Sequence, residues 1–215
     1  MFIKCLKVGS IETNCYIACD KVSNRAAVID PGAEAARITA ALEETGCTAD
    51  YVILTHGHAD HMSAAKEVVR NTGAKLAVFA DELPLLNDPQ KSMSAVINPT
   101  QDFETFNPDI MLRDGDTLTL GSIQLKALYT PGHTSGSCCI IAQDTLFSGD
   151  TLFRRSAGRT DLPTGNTSQL MESLKRLFSL DGDLKVLPGH GEFSTLEFER
   201  LNNPFSGSQT NAALS

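Results

Sequence analysis

Five histidines are present in this chain of 215 residues, and each sits where a metal ligand would be useful. Three fall in one run, His56-Gly57-His58-Ala59-Asp60-His61, and the other two, His133 and His190, each follow a Pro-Gly pair. Asp150 ends the segment Phe147-Ser148-Gly149-Asp150. Every one of these positions comes just after a short apolar stretch, at residues 51–54, 124–129, 145–147 and 184–187. Such stretches read as buried strands, and residues that follow strands can converge on one rim of a sheet. A fold that serves this pattern must bring four distant strand ends to one place. Neutral imidazole and carboxylate are the ligands that bind zinc and similar divalent cations, so the pattern points to a metal site.

The spacing divides the ligands. Residues i and i+2 of an extended segment point to the same side, so His56 and His58 can grip one ion. Asp60 and His61 come where the chain turns into a helix and can face a second ion. His133 would complete the first set and His190 the second, and the carboxylate of Asp150 has two oxygens with which to bridge them.

The rest of the chain narrows the class. Its length suits one domain with a real core. A formal charge of -8 argues against nucleic acid as a partner, since that needs lysine and arginine to neutralise phosphates. No apolar run approaches the ~18 residues of a spanning helix, so no membrane partner is expected. Residues 1–9 carry two lysines and no long apolar core, unlike a signal peptide, and a cytoplasmic location is expected. Six cysteines show neither a CxxC pair nor zinc-finger spacing, and are read as reduced structural thiols. Cys138 and Cys139 should face opposite sides of one strand.

Strands are expected at residues 2–8, 14–19, 26–29, 51–54 and 75–79, with a helix over 34–45 stopped by Gly46 and a helical stretch from His61 to Arg70. Residues 81–106 read as an irregular insertion. Strands return at 117–120, 124–129, 138–142 and 145–147, followed by a helix over 168–178, a strand at 184–187 and a last helix from Thr195. Strands and helices alternate within each half, and the halves have similar element orders.

Taken in order, Val28-Ile29-Asp30-Pro31-Gly32, Thr55-His56-Gly57-His58-Ala59-Asp60-His61, Pro131-Gly132-His133-Thr134, Ser148-Gly149-Asp150 and Pro188-Gly189-His190-Gly191 resemble the motifs of the metallo-β-lactamase-fold hydrolase superfamily, and more closely its glyoxalase II-like (hydroxyacylglutathione hydrolase-like) branch. The resemblance spans roughly residues 2 to 205. It implies an α/β (α+β) fold: a four-layer αββα sandwich of two mixed β-sheets with helices on the outer faces. It implies one such domain over residues 1–205; residues 206–215 are small and polar and are expected to be a disordered tail. A dinuclear centre is implied, with His56, His58, His133 and Asp150 at one ion and Asp60, His61, His190 and the shared Asp150 at the other. Asp60 would also orient the nucleophilic water. In the family an acid at the place of Asp30 supports the ligands without binding metal; a turn-forming Asp-Pro-Gly is the other reading of the same residues.

Two divalent cations sharing a water, zinc first but iron or manganese as well, make a bridging hydroxide available near neutral pH. That chemistry suits thioesters, whose thiolate leaves without prior protonation, so the expected activity is hydrolysis of a small, anionic acyl-thiol. Family glyoxalase II enzymes carry a C-terminal helical addition that holds glutathione, and a compact form without it is expected here. Arg154, Arg155 and Arg159 follow Asp150 closely and can place a positive rim for a substrate carboxylate. The alternative is a solvated loop pairing with local acids such as Asp161. Two rival functions share the pattern: a persulfide dioxygenase using one iron held by His56, His133 and Asp150, and a non-catalytic metal-binding domain.

Overall fold

The computed structural model describes residues 1–97 and 103–207. The tail expected at 206–215 therefore lies, from residue 208, outside the described residues.

Two six-stranded sheets form the centre of the molecule. The first runs in chain order, β1 (Phe2–Val8), β2 (Thr13–Asp20), β3 (Arg25–Ile29), β4 (Thr48–Leu54), β5 (Lys75–Phe79) and β6 (Ile110–Leu112). Its first three strands are antiparallel and its last four parallel, so the sheet is mixed. The second has the order β14 (Ser194–Thr195), β13 (Lys185–Pro188), β10 (Thr145–Gly149), β9 (Cys138–Ala142), β8 (Ile123–Tyr129) and β7 (Thr117–Leu120). Here β7 to β10 are antiparallel, β13 runs parallel to β10, and β14 returns antiparallel. Each sheet thus begins as an antiparallel meander and continues through a parallel crossover, as the similar element orders of the halves led us to expect.

Alternation along the strands builds the layers. In β2, Tyr16 and Ala18 face the second sheet, packing with Phe147, Leu187, Leu125 and Ile140. Cys15, Ile17 and Cys19 face the other way, toward α1 (Ala35–Thr45) and α3 (Ala65–Thr72), which bury Ile38, Leu42 and Val68 on them. With both faces covered, every residue of β2 is buried. On the far side of the second sheet, Leu128, Cys139, Leu146 and Val186 pack against Leu170, Leu174 and Leu177 of α6 (Thr167–Phe178) and Leu196 of α7 (Leu196–Asn202). The result is a helix–sheet–sheet–helix sandwich. Cys138 lies in the layer between the sheets and Cys139 in the outer layer, as alternation requires. All six cysteines are free.

The irregular stretch expected from residue 81 contains a 3-10 turn (Ala80–Glu82), α4 (Leu83–Leu86) and α5 (Ser94–Ile97) among the described residues. Four strands are additions to the expected list: β6, the two-residue β14, and the separate hairpin of β11 (Leu152–Phe153) and β12 (Ser156–Ala157). Among the described residues no helix is long and apolar enough to cross a membrane.

Asp20, at the end of β2, clasps the sheets together. Its carboxylate accepts from Ser122 N and Oγ at 2.7 and 2.9 Å in the β7–β8 turn, and from Val22 N and Ser23 Oγ at 3.0 and 2.9 Å. The Ser122 amide first, and then Val22, hold its pKa well below the usual carboxylate range. A carboxyl depressed in the folded state contributes stability above its unfolded pKa of about 3.9, and that contribution drains away as pH falls below it. Asp20→Asn is therefore expected to lower the urea midpoint clearly at pH 7 and by a smaller amount at pH 3, where part of the contribution has already been lost. A loss of equal size at both pH values would show that the charge of Asp20 is not what the clasp uses.

Candidate metal centre

All the predicted ligands sit at the C-terminal ends of strands that run the same way. His56 follows β4 by two residues, His133 follows β8 by four, Asp150 follows β10 directly, and His190 follows β13 by two. His58 is the N-cap of α2 (Ala59–Met62), which carries Asp60 and His61. Asp30 follows β3, the parallel neighbour of β4. The two sheets are sewn together at this edge. Asn14 N donates to Gly189 O at 2.7 Å, Tyr16 Oη to Pro188 O at 2.6 Å, and Cys138 N to Thr55 O at 2.9 Å.

Seven side chains meet there. His56, His58 and His133 form one group, Asp60, His61 and His190 another, and His56, His61 and Asp150 a third that joins them; within each, the potential ligand atoms lie within 4.8 Å of one another. His58 Nδ1 is 2.9 Å from His133 Nε2, and His61 Nε2 is 3.2 Å from His190 Nε2. Asp60 Oδ2 is 3.0 Å from His190 Nε2 and 3.4 Å from His61 Nε2. Asp150 lies between the groups, with Oδ1 3.4 Å from His61 Nε2 and Oδ2 3.6 and 3.8 Å from the Nε2 atoms of His133 and His190.

The outer nitrogens fix which inner ones carry lone pairs. His133 Nδ1 lies 2.8 Å from the carbonyl oxygen of Arg159, which can only accept, so Nδ1 holds the proton and Nε2 turns its lone pair inward. His61 Nδ1 likewise faces Asp30 Oδ2 at 3.0 Å. Thr55 Oγ1 donates to Asp30 Oδ2 at 2.6 Å, which leaves it free to accept from His56 Nδ1 at 3.2 Å. Asp30 Oδ1 accepts Thr55 N at 2.8 Å. Asp30 thus bonds His61 directly and reaches His56 through Thr55 while standing at a left-handed φ of 52°.

The donor set fits divalent cations. His56 Nε2 and Asp150 Oδ1 are buried and have no hydrogen-bond partner. Buried polar atoms ordinarily find partners, and inward-facing lone pairs are satisfied by a cation. Two nitrogens ~2.0–2.1 Å from one zinc at a tetrahedral angle lie roughly 3.3 Å apart, close to the separations here. Burial first, then the neighbouring imidazoles, drives His56 well below the ordinary histidine range and His58 to about 3, so both are neutral, the form that ligates. Burial pulls His61 down as well, but Asp60, Asp150 and Asp30 outweigh it and push it up to about 10. That pocket calls for positive charge.

Local packing explains the second Pro-Gly-His motif. A Cβ on Gly189 would come within 2.2 Å of Asp150 Oδ1 and 2.6 Å of His61 Cε1, so only glycine lets β13 deliver His190 beside the other ligands. His56, His58, His61 and His133 are buried, whereas the His190 side chain is 27% exposed, so solvent reaches the group from the His190 side. Phe153 lies 6.4 Å from the His190 ring, and the half-exposed Phe193 packs on Tyr16.

The three arginines are arranged less directly. Arg159 makes two bonds to Asp161, at 2.7 and 2.6 Å, the local pairing considered above. Arg154 pairs with Glu192 and lies over the Phe198 ring at 5.3 Å. Arg155 takes a left-handed φ of 56° and donates its amide to Glu199 at 2.8 Å. Sequence reasoning passed over Thr13, which donates to Asp60 Oδ2 at 3.1 Å, and Glu82, which binds the loops of His58 and His133. A lone threonine or glutamate in a polar context gives no periodic or motif signal.

Comparison with known proteins agrees with this geometry. The Metallo-beta-lactamase superfamily matches residues 9–190. A Haemophilus influenzae protein named hydroxyacylglutathione hydrolase GloC is 32% identical over 216 residues, covering 98% of this chain and all of the relative. The crystal structure of the BLEG-1 B3 metallo-beta-lactamase is similar with a TM-score of 0.88 at 31% identity, covering 96% of this chain and 100% of that one. TTHA1623 in a di-iron-bound form is similar with a TM-score of 0.83 at 31% identity, covering 94% and 99%. The activities named for the first two of these relatives differ, and the two solved structures share the fold. With its two-sheet sandwich and the histidine and aspartate cluster at one sheet edge, the chain belongs to the Metallo-beta-lactamase superfamily.

Proposed function

We propose that this protein is a dinuclear metal-dependent hydrolase of thioesters, of the glyoxalase II-like branch. The observation that carries the reading is the position of Asp150 between the histidine groups, with Oδ1 3.4 Å from His61 Nε2 and Oδ2 3.6 and 3.8 Å from the Nε2 atoms of His133 and His190. His56, His58, His133 and Asp150 would hold one ion, and Asp60, His61, His190 and Asp150 the other. When bound, two such cations supply an activated water near neutral pH and polarise the substrate carbonyl. Zinc, iron and manganese all suit this donor set. The similarity to the Haemophilus influenzae hydrolase supports a thioester as the bond cleaved.

The chain's own residues have definite tasks in this scheme. Asp60 is held by the Thr13 hydroxyl at 3.1 Å and would accept a hydrogen bond from the attacking water and orient it. Asp30 keeps the proton of His61 on Nδ1, leaving Nε2 to ligate. A thiol of pKa about 8.5 leaves as thiolate, so no residue need act as general acid toward it. Phe153 and Phe193 offer apolar surface beside the open His190 side. Arg154 and Arg159 stand in exposed ion pairs, which water and salt screen, so either can exchange its acid for a substrate carboxylate at little cost. The substrate is accordingly a small, anionic acyl-thiol.

Metal-replete protein is expected to hydrolyse S-lactoylglutathione, to lose that activity on treatment with a chelator, and to regain it with zinc, iron or manganese. Absence of turnover on every thioester tried, or one iron per chain with oxygen consumption on glutathione persulfide, would sink the reading. His133→Ala and His190→Ala should each lower the metal content from two ions per chain to one, measured by elemental analysis; either variant retaining two would break the ligand assignment. Arg159→Glu should raise KM for an anionic thioester several-fold with kcat nearly kept, and an unchanged KM would remove the arginine from substrate binding.

A further inference from the structure

Glu82 is a fully buried carboxylate at the end of β5, and nothing in the metal reading uses it. Burying such a group is costly unless its oxygens are well bonded. Its Oε1 accepts from Gly57 N at 2.7 Å, and its Oε2 accepts from Gly136 N at 2.8 Å and from Thr134 Oγ1 at 3.0 Å. Gly57 lies between His56 and His58, at the edge of the first sheet. Thr134 follows His133 in the β8–β9 loop of the second sheet. One side chain therefore joins the backbone carrying two of the histidines to the backbone carrying the third. The β8–β9 loop is braced further, since Ser137 Oγ accepts from Thr134 N at 3.0 Å and pairs with Thr134 Oγ1 at 2.7 Å. The fit is close: a Cβ on Gly136 would come within 2.2 Å of Glu82 N.

The other half of the centre is held by different groups. Asp30 supports His61, Thr13 supports Asp60, and Asn14 Nδ2 donates to Pro188 O at 3.0 Å and Gly191 O at 3.2 Å on either side of His190. None of these bonds passes through Glu82.

We propose that Glu82 is a positioning residue of the metal centre, its carboxylate setting His56, His58 and His133 in one ligating geometry by tying their two loops together. This rests on the two-ion reading above. Both glycine partners are N–H donors, and they face different oxygens. A glutamine has only one acceptor oxygen, so Glu82→Gln must leave either Gly57 N or Gly136 N facing an NH2 group. The variant keeps size and shape and damages the link selectively. Loss of a group that orients metal ligands typically lowers affinity by about 10–100-fold.

The test uses the full chain, stripped by chelator and titrated with zinc against a chromophoric competitor, with cobalt(II) absorption as a second readout. Wild type is expected to bind two ions. Glu82→Gln should weaken one constant by about 10–100-fold and leave the other within about 3-fold. The cobalt bands it loses should be those lost in His133→Ala, not those lost in His190→Ala. Thr134→Val, which keeps the carboxylate and both glycine bonds, should weaken the same ion more mildly, and it decides the matter if the glutamine variant does not fold. Equal weakening of both ions, loss confined to the His190 ion, or no change in either constant would overturn the proposal. Wild type binding fewer than two ions would bring down the two-ion reading and this inference with it, whereas two ions in wild type with an unmoved Glu82→Gln defeats the inference alone.

Discussion

Imidazole lone pairs and carboxylate oxygens held 3–4 Å apart repel one another unless positive charge sits among them. Much of this structure is the apparatus for enforcing that closeness. Four co-directional strands must end at one edge, in two different sheets, and the sheets must be bonded at that edge so that their ends do not part. Asn14, Tyr16 and the Cys138 amide make those bonds, each of them to the backbone of a ligand-bearing segment. The sandwich core then prevents relaxation, because Tyr16 and Phe147, at a ring separation of 5.3 Å, pack directly beneath the site. A cation among these groups would relieve that repulsion, so its binding would add to the stability of the folded state.

The clustering of these seven side chains was readable from sequence because their spacing is local or because histidine is scarce. His56 and His58 share a side through simple alternation, and His133 and His190 were the only imidazoles left to pair with the cluster. The layers were readable too, since β2, β8 and β9 alternate their side chains as strands between two covered faces should. Other features depend on partners far along the chain. β6 has only three residues, and its identity comes from bonding to β5, more than thirty positions earlier. Gly189 reads as an ordinary turn glycine until Asp150 and His61 are seen against it. Glu82 lies in Ala80-Asp81-Glu82, which looks like the acidic start of a helix, and its bonds reach back 25 residues and forward 54.

The arginines show a different limit. Their proximity to Asp150 in sequence is real, but the hairpin β11–β12 and the loop after it decide where their side chains go. Arg159 contributes through its carbonyl, which fixes the tautomer of His133, while its guanidinium is held by Asp161. A single residue thus supports a ligand with its backbone and offers a charge to solvent with its side chain. Those two roles are separable, since substitution of the side chain leaves the carbonyl in place.

Two buried glutamates divide the surroundings of the site between them. Glu82 joins the loops of the three-histidine half. Glu199, in α7, accepts from Arg155 N at 2.8 Å and Asn203 Nδ2 at 2.7 Å, and Asn203 in turn donates to Ser156 O at 3.0 Å. The helix that follows His190 therefore grips the hairpin carrying Phe153, Arg154 and Arg155, the residues nearest the open side. The two brackets share no residue. Changes in the hairpin can therefore alter what approaches from solvent without disturbing the histidine loops.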